Sequence, residues 1–76
     1  MKIKYFSDTD TALLEFSDTE VHETREINEN IYIDLDEDGG LVSMTIEHAR
    51  QQANLAELSY LQIDQAPPNE RVRRTA

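Results

Sequence analysis

Residues Asn30 to Glu47 read NIYIDLDEDGGLVSMTIE, and the way this stretch folds decides what the rest of the chain can do. An Asp-Gly pair between two alternating apolar runs is the strongest short-range signal for a β-hairpin. A type I′ turn needs positive φ at both central residues, which Asp tolerates and Gly adopts at little cost. With Asp38 and Gly39 as the turn, Glu37 faces Gly40, Leu35 faces Val42, Ile33 faces Met44 and Ile31 faces Ile46. The opposite side pairs Tyr32 with Thr45, Asp34 with Ser43 and Asp36 with Leu41. Turn chemistry and binary pattern agree. A slip of one residue would set every apolar group against a polar one.

The same residues carry a second pattern. Asp34, Asp36, Asp38 and Gly39 spell D-x-D-x-D-G, the opening of a calcium-binding loop. Such a loop needs a bidentate Glu at its twelfth position, where this chain has Thr45, and no helix pattern leads into it. Asp34, Asp36 and Asp38 are therefore weak metal candidates. The expected state is a solvated acidic turn, with no metal and no cofactor.

Working outward, Lys2 to Phe6 alternates, with Ile3 and Tyr5 on one face and lysines on the other. Ser7-Asp8-Thr9-Asp10 is turn chemistry. Ala12, Leu14 and Phe16 alternate with Leu13 and Glu15, giving a second strand that pairs with the first. The lysines of the first strand would discourage sheet-to-sheet association if it lies at an edge. Val21 to Ile27 reads as a charged, exposed strand, joined by Asn28-Glu29-Asn30 to the central hairpin. Five strands in a simple antiparallel meander result, and their apolar face needs a cover.

That cover is expected from a short helix over residues 47–52, where Ile46, Ala49 and Ala53 have helical spacing. Asn54 followed by Glu57 resembles a capping box and predicts a further helical turn over 55–58. Residues 59–64 return to alternation, with Leu61 and Ile63 on one side and Tyr60 and Gln62 on the other. They form either a sixth strand or an arm that adds to another chain. Pro67-Pro68 ends regular structure, and residues 65–76 read as a disordered Pro- and Arg-containing tail. The fold class is thus α+β, mostly β, with a single domain over 1–64.

Composition narrows function by exclusion. Sixteen acidic residues face seven basic ones, a net charge of −9 over 76 residues. Phosphate contacts rest on Lys and Arg, so direct nucleic-acid binding is not expected, whereas a basic protein partner is. A chain this short buries only about 60 % of its unfolded surface and gains from a partner, a homodimer included. The lack of cysteine fits a reducing cytoplasm. No apolar run approaches a membrane span, and no signal peptide is expected.

Catalysis needs a nucleophile, a base and an orienting group. His22 and His48 lie on different elements, and Ser7, Ser17, Ser43 and Ser59 sit in no nucleophile motif. Each histidine lacks other ligands at zinc spacing. Gly39 and Gly40 are the only glycines and belong to a turn, which leaves no phosphate loop. The expectation is a non-enzyme. Two features suggest binding. Leu58, Tyr60, Leu61 and Ile63 form an apolar segment that can dock in a groove, add to a partner's sheet edge or close this domain's own core. Tyr32, Asp34 and Asp36 offer an acidic face to a partner.

The order K-I-K-Y, D-T-A-L-L-E-F-S, E-T-R-E-I and then I-Y-I-D-L-D-E-D-G-G-L-V-S-M-T-I-E-H-A resembles the bacterial family catalogued as domain of unknown function 2283, over roughly residues 1–49. The most specific part is I-D-L-D-E-D-G-G-L-V followed by I-E-H-A. Phe6 stands where family members often carry Asp, and Gly40 fills the place between the turn Gly and Leu-Val. The resemblance implies a small prokaryotic β-sheet domain, often encoded near small toxin-like proteins, and assigns no functional residue. The leading expectation is a protein-binding domain, with an antitoxin that occludes a basic toxin as its concrete form. The alternatives are a phage- or plasmid-encoded inhibitor that mimics nucleic acid, of the anti-CRISPR kind, and a small metal-binding or structural domain.

Overall fold

The computed structural model describes residues 1–64. The expected tail over 65–76 lies outside the described residues. Five strands, β1 (Lys2–Phe6), β2 (Thr11–Glu15), β3 (Glu23–Asn28), β4 (Ile31–Leu35) and β5 (Leu41–Glu47), form one antiparallel sheet, followed by a single helical turn, α1 (Ala49–Gln52). The mostly β architecture with one short helix is that expected from the sequence.

The strand order is β1-β2-β5-β4-β3, which corrects the simple meander. β5 inserts between the two halves and pairs with β2 on one side and β4 on the other. The reason lies in the strands' chemistry. β5 carries Val42, Met44 and Ile46 and needs neighbours on both sides. β3 carries Glu23, Arg25 and Glu26, and every residue in it is exposed. A charged strand at the edge also resists pairing with other chains, and the lysines of β1 guard the opposite edge.

The central hairpin is paired as expected over Ile31–Ile46, Tyr32–Thr45, Ile33–Met44 and Asp34–Ser43, but its turn differs. Leu35 pairs with Leu41, not Val42, because the register shifts after Asp34 and β5 holds an extra residue. Asp38 has no positive φ, and Gly39 alone is left-handed, at φ 84°. Gly39 N donates to Asp36 O at 3.0 Å, and Asp36 N donates to Gly40 O at 2.9 Å. This is the longer hairpin loop that closes on one left-handed residue and a bulge, in place of type I′. The Asp36 carboxylate selects it. Its Oδ1 accepts Asp38 N at 3.0 Å and Gly40 N at 2.7 Å. Side-chain bonds of this kind compete with the simpler turn.

Alternation along the paired strands gives the sheet two unlike faces. One carries Ile3, Tyr5, Ala12, Leu14, Met44, Ile46, Ile31, Ile33 and Leu35. The other carries Lys2, Lys4, Thr11, Glu15, Ser43, Thr45, Glu47, Tyr32, Asp34, Thr24 and Glu26, with Phe6 and Leu13 as its apolar members. Among the described residues the buried apolar ones are few: Ala12, Leu35, Val42 and Ala49.

The helix covers less than expected. Ile46 and Glu47 belong to β5, and α1 packs on β5 alone among the strands with more than slight contact. The further helical turn at 55–58 is absent. Asn54 Oδ1 instead accepts Ala56 N at 3.2 Å and fixes a local turn. Residues 57–64 form no sixth strand.

Gly39 meets no atom within 4 Å where a Cβ would sit, so only its φ restricts it. Gly39→Ala is expected to lower stability by about 1–2 kcal/mol, the usual cost of a left-handed L-residue, with Gly39→Asn losing less. At Gly40 a Cβ would lie 2.8 Å from Asp36 Oδ2, so Gly40→Ala should displace the Asp36 carboxylate and cost the turn its two side-chain bonds. Urea titrations of the three variants check both expectations.

Candidate functional site

Among the described residues, three places concentrate chemistry: a polar junction at one corner, the polar face of the sheet, and the apolar face with the arm that leaves α1.

The junction is built on Asp10. Its backbone is left-handed at φ 55°, which Asp tolerates better than most residues. This conformation lets one residue hold two elements. Asp10 Oδ1 accepts Tyr5 Oη at 2.7 Å and Arg50 N at 3.2 Å, and Asp10 O accepts Ala49 N at 2.9 Å. Asp10 thereby satisfies the first amides of α1, whose own N-cap residue His48 makes no side-chain cap. His48 is the second left-handed residue, at φ 53°. Its Nδ1 lies 2.9 Å from Asn30 Oδ1, and Glu47 N donates to Asn30 O at 2.7 Å. The Arg50 guanidinium sits 5.5 Å from the centre of the Tyr5 ring. The Tyr5 hydrogen bond holds the Asp10 carboxyl below the ordinary carboxylate value and pushes the Tyr5 phenol up.

A shallow hollow of about 750 Å³ opens beside Tyr5, walled by residues 50–56. Its ionisable lining is Tyr5 and Arg50, so it presents neither a nucleophile with a base nor a ligand set. His48 and Ser43 stand in separate bonding groups, since the ring of His48 meets Asn30 while Ser43 donates to Asp34. The bonds of this corner orient backbone.

On the polar face, Asp34 accepts Ser43 Oγ at 2.6 Å and Thr24 Oγ1 at 2.5 Å. These two hydroxyls, Ser43 first, hold its carboxyl below the usual range. They also let Ser43, 8 % exposed, be buried at no polar cost. Tyr32 lies on the same face, its phenol pushed up chiefly by the negative charge of Glu26, and Lys4 pairs with Glu15 at 3.3 Å. The candidate residues Tyr32 and Asp34 therefore share a face, while Asp36 is tied into the turn. Asp34, Asp36 and Asp38 do not converge, and among the described residues no three acidic, His or Cys side chains gather as a metal site.

The candidate residues of the arm are fully presented. Leu58, Tyr60, Leu61 and Ile63 are 59–82 % exposed. They leave the apolar face of the sheet uncovered. Leu14, Ile31, Ile33, Met44 and Ile46 are only half-buried, and Ile3 is exposed. The sequence pattern did not reveal this face because a helix was expected as its lid. Nor did it single out Asp10, although an Asp ending a turn before a strand is suited to a left-handed, capping position.

Comparison with known proteins places the chain. A family model described as protein of unknown function (DUF2283) matches residues 2–50 of the 76. The chain belongs to that family. The DUF2283 match spans all five strands and ends at Arg50, so it includes Asp10 and the residues Asp10 caps, while the arm lies beyond it. Neither a curated protein nor a solved structure matches the chain. No described helix is long and apolar enough to cross a membrane.

The depressed carboxyls fix the sign of a pH effect. Asp10 and Asp34 stabilise the fold as carboxylates, so their contribution is present above the ordinary value of 3.8 and is lost as pH falls through their lower folded values. Side-chain NMR titration is expected to place both below 3.8. Ser43→Ala should move Asp34 upward and leave Asp10 in place, and Tyr5→Phe should do the reverse.

Proposed function

We propose that this chain is a small acidic, non-enzymatic protein-binding domain that acts in the cytoplasm by occluding a basic partner, with the antitoxin of a toxin–antitoxin pair as its concrete form. The exposure of Leu58, Tyr60, Leu61 and Ile63 carries this reading. Four large apolar side chains within six residues, beyond the end of the sheet, are costly to leave in water and are the kind of anchors that fill a partner's pocket or edge. The net charge of −9 supplies the complement. Charges of one sign speed encounter with the opposite sign, and buried apolar anchors slow release.

The acidic polar face favours a second reading. Glu26, Asp34 and Glu47 on one face, with Glu37 and Asp38 at the exposed turn, present carboxylates to any surface built for phosphates. An inhibitor of a nucleic-acid enzyme would use that face and would not require the arm.

The two readings part on one experiment. The tagged chain is used as bait in its source cell beside a Leu61→Asp, Ile63→Asp variant, whose exposed positions leave the sheet intact by circular dichroism. A small basic protein is expected with the unmodified bait, released by raised salt, and its affinity for the variant should fall at least about tenfold, the scale of losing anchor contacts. Equal binding by the variant would remove the arm from the mechanism. Capture of a nucleic-acid enzyme would move the assignment to the second reading.

A further inference from the structure

The apolar face of the sheet is a surface separate from the arm and from the acidic face, and its chemistry specifies an occupant. Along it run Ile3, Leu14, Met44, Ile46, Ile31 and Ile33 from four adjacent strands. The central members of this set, Leu14, Met44 and Ile33, sit where a covered sheet would be fully buried, yet they are only half-buried. Burial on this face is reached only at its margins, by Ala12 under α1 and by Leu35 beside the turn. The charged side chains that the register places on this face are Glu23 and Arg25 of the edge strand, and they pair with each other at 2.8 Å. At the Tyr5 end Arg50 stands over the ring with the Asp10 carboxylate beside it, so in a chain of net charge −9 the charges bordering this face come in pairs of opposite sign and leave it neutral.

We infer that the neutral apolar face is a self-association surface, on which a second copy of this chain packs face to face to make a two-sheet sandwich. Neutrality decides the occupant. A basic partner gains nothing from an uncharged surface and is drawn to the carboxylates on the other side. The required surface is flat, apolar and uncharged, and a second copy offers one about a two-fold axis, where each contact is made twice. Face-to-face packing about 10 Å apart turns both acidic faces outward, so the like charges are held well apart and screened. The size of the face sets the strength. Four strands about 4.8 Å apart and five residues of about 3.3 Å each give roughly 300 Å² per copy, or about 600 Å² for the pair. That is smaller than a standard interface, so the dimer is a weak one in exchange with monomer. The face lies wholly within the DUF2283 match, while the arm does not, so this inference is independent of the proposed partner.

Sedimentation equilibrium of the full chain from about 5 μM to 1 mM tests it, a range that reaches weak association. A concentration-dependent dimer is expected, with methyl NMR shifts of Leu14, Ile31, Ile33, Met44 and Ile46 moving along the same curve while the Tyr32 ring does not. Ile33→Glu should shift the equilibrium at least about tenfold toward monomer, since it sets two carboxylates against each other across the axis. A monomer at 1 mM overturns the inference. So does a dimer whose shifts map to the strand edges or to the arm, or one that Ile33→Glu leaves unchanged. The methyl map is read on the unmodified chain, so the result stands even if the variant does not fold.

Discussion

The pairing of β2 with β5 holds this molecule together. The other three strand pairings join neighbours in sequence and form as local hairpins. β2–β5 brings Thr11 to Glu47 and Glu15 to Ser43, and without it the chain is two unconnected ribbons. Closing a segment of that length costs conformational entropy before any contact rewards it. The reward is concentrated at the seam. Phe16 N and Ser17 N both donate to Val42 O, and Asp10 binds the start of α1. The corner at Asp10 is thus the clasp of the long-range contact.

The strands were legible in the sequence where period two is clean. β1, β4 and β5 were readable because Ile3–Tyr5, Ile31–Ile33–Leu35 and Val42–Met44–Ile46 each alternate, and the hairpin register from Ile31 to Asp34 followed from binary pattern. Its turn was not, because Asp-Gly satisfies two loop lengths. The choice between them was made by Asp36, whose carboxylate binds the amides two and four residues ahead. Strand order was not legible either. A meander and the observed order use the same hairpins and differ only in which strand lies beside β2. Burial of β5 and exposure of β3 decide that, and the charges of Glu23, Arg25 and Glu26 were the available clue.

The helix was overread for a related reason. Ile46 fits both the apolar period of a strand and the first position of a helix with Ala49 and Ala53. Pairing with Ile31 and Ala12 claims it for the sheet. What remains, Ala49 to Gln52, is one turn, too short to be stable without a cap, and the cap comes from a residue nearly forty positions earlier. The candidate site fared similarly. The exposed arm residues were identifiable as an apolar segment outside the sheet. The uncovered sheet face was hidden by the assumption that a helix must roof it.

The cap at Asp10 also fixes where the arm begins. Because the first turn of α1 is fastened to the β1–β2 corner, the arm departs from a defined point and not from a swinging tether. Residues 54–64, if fully extended, reach at most about 36–40 Å, farther than the sheet is wide. A partner gripped at the arm's tip is thus leashed to the sheet at a radius that covers either face, and the leash raises the local concentration of sheet around whatever the arm has caught.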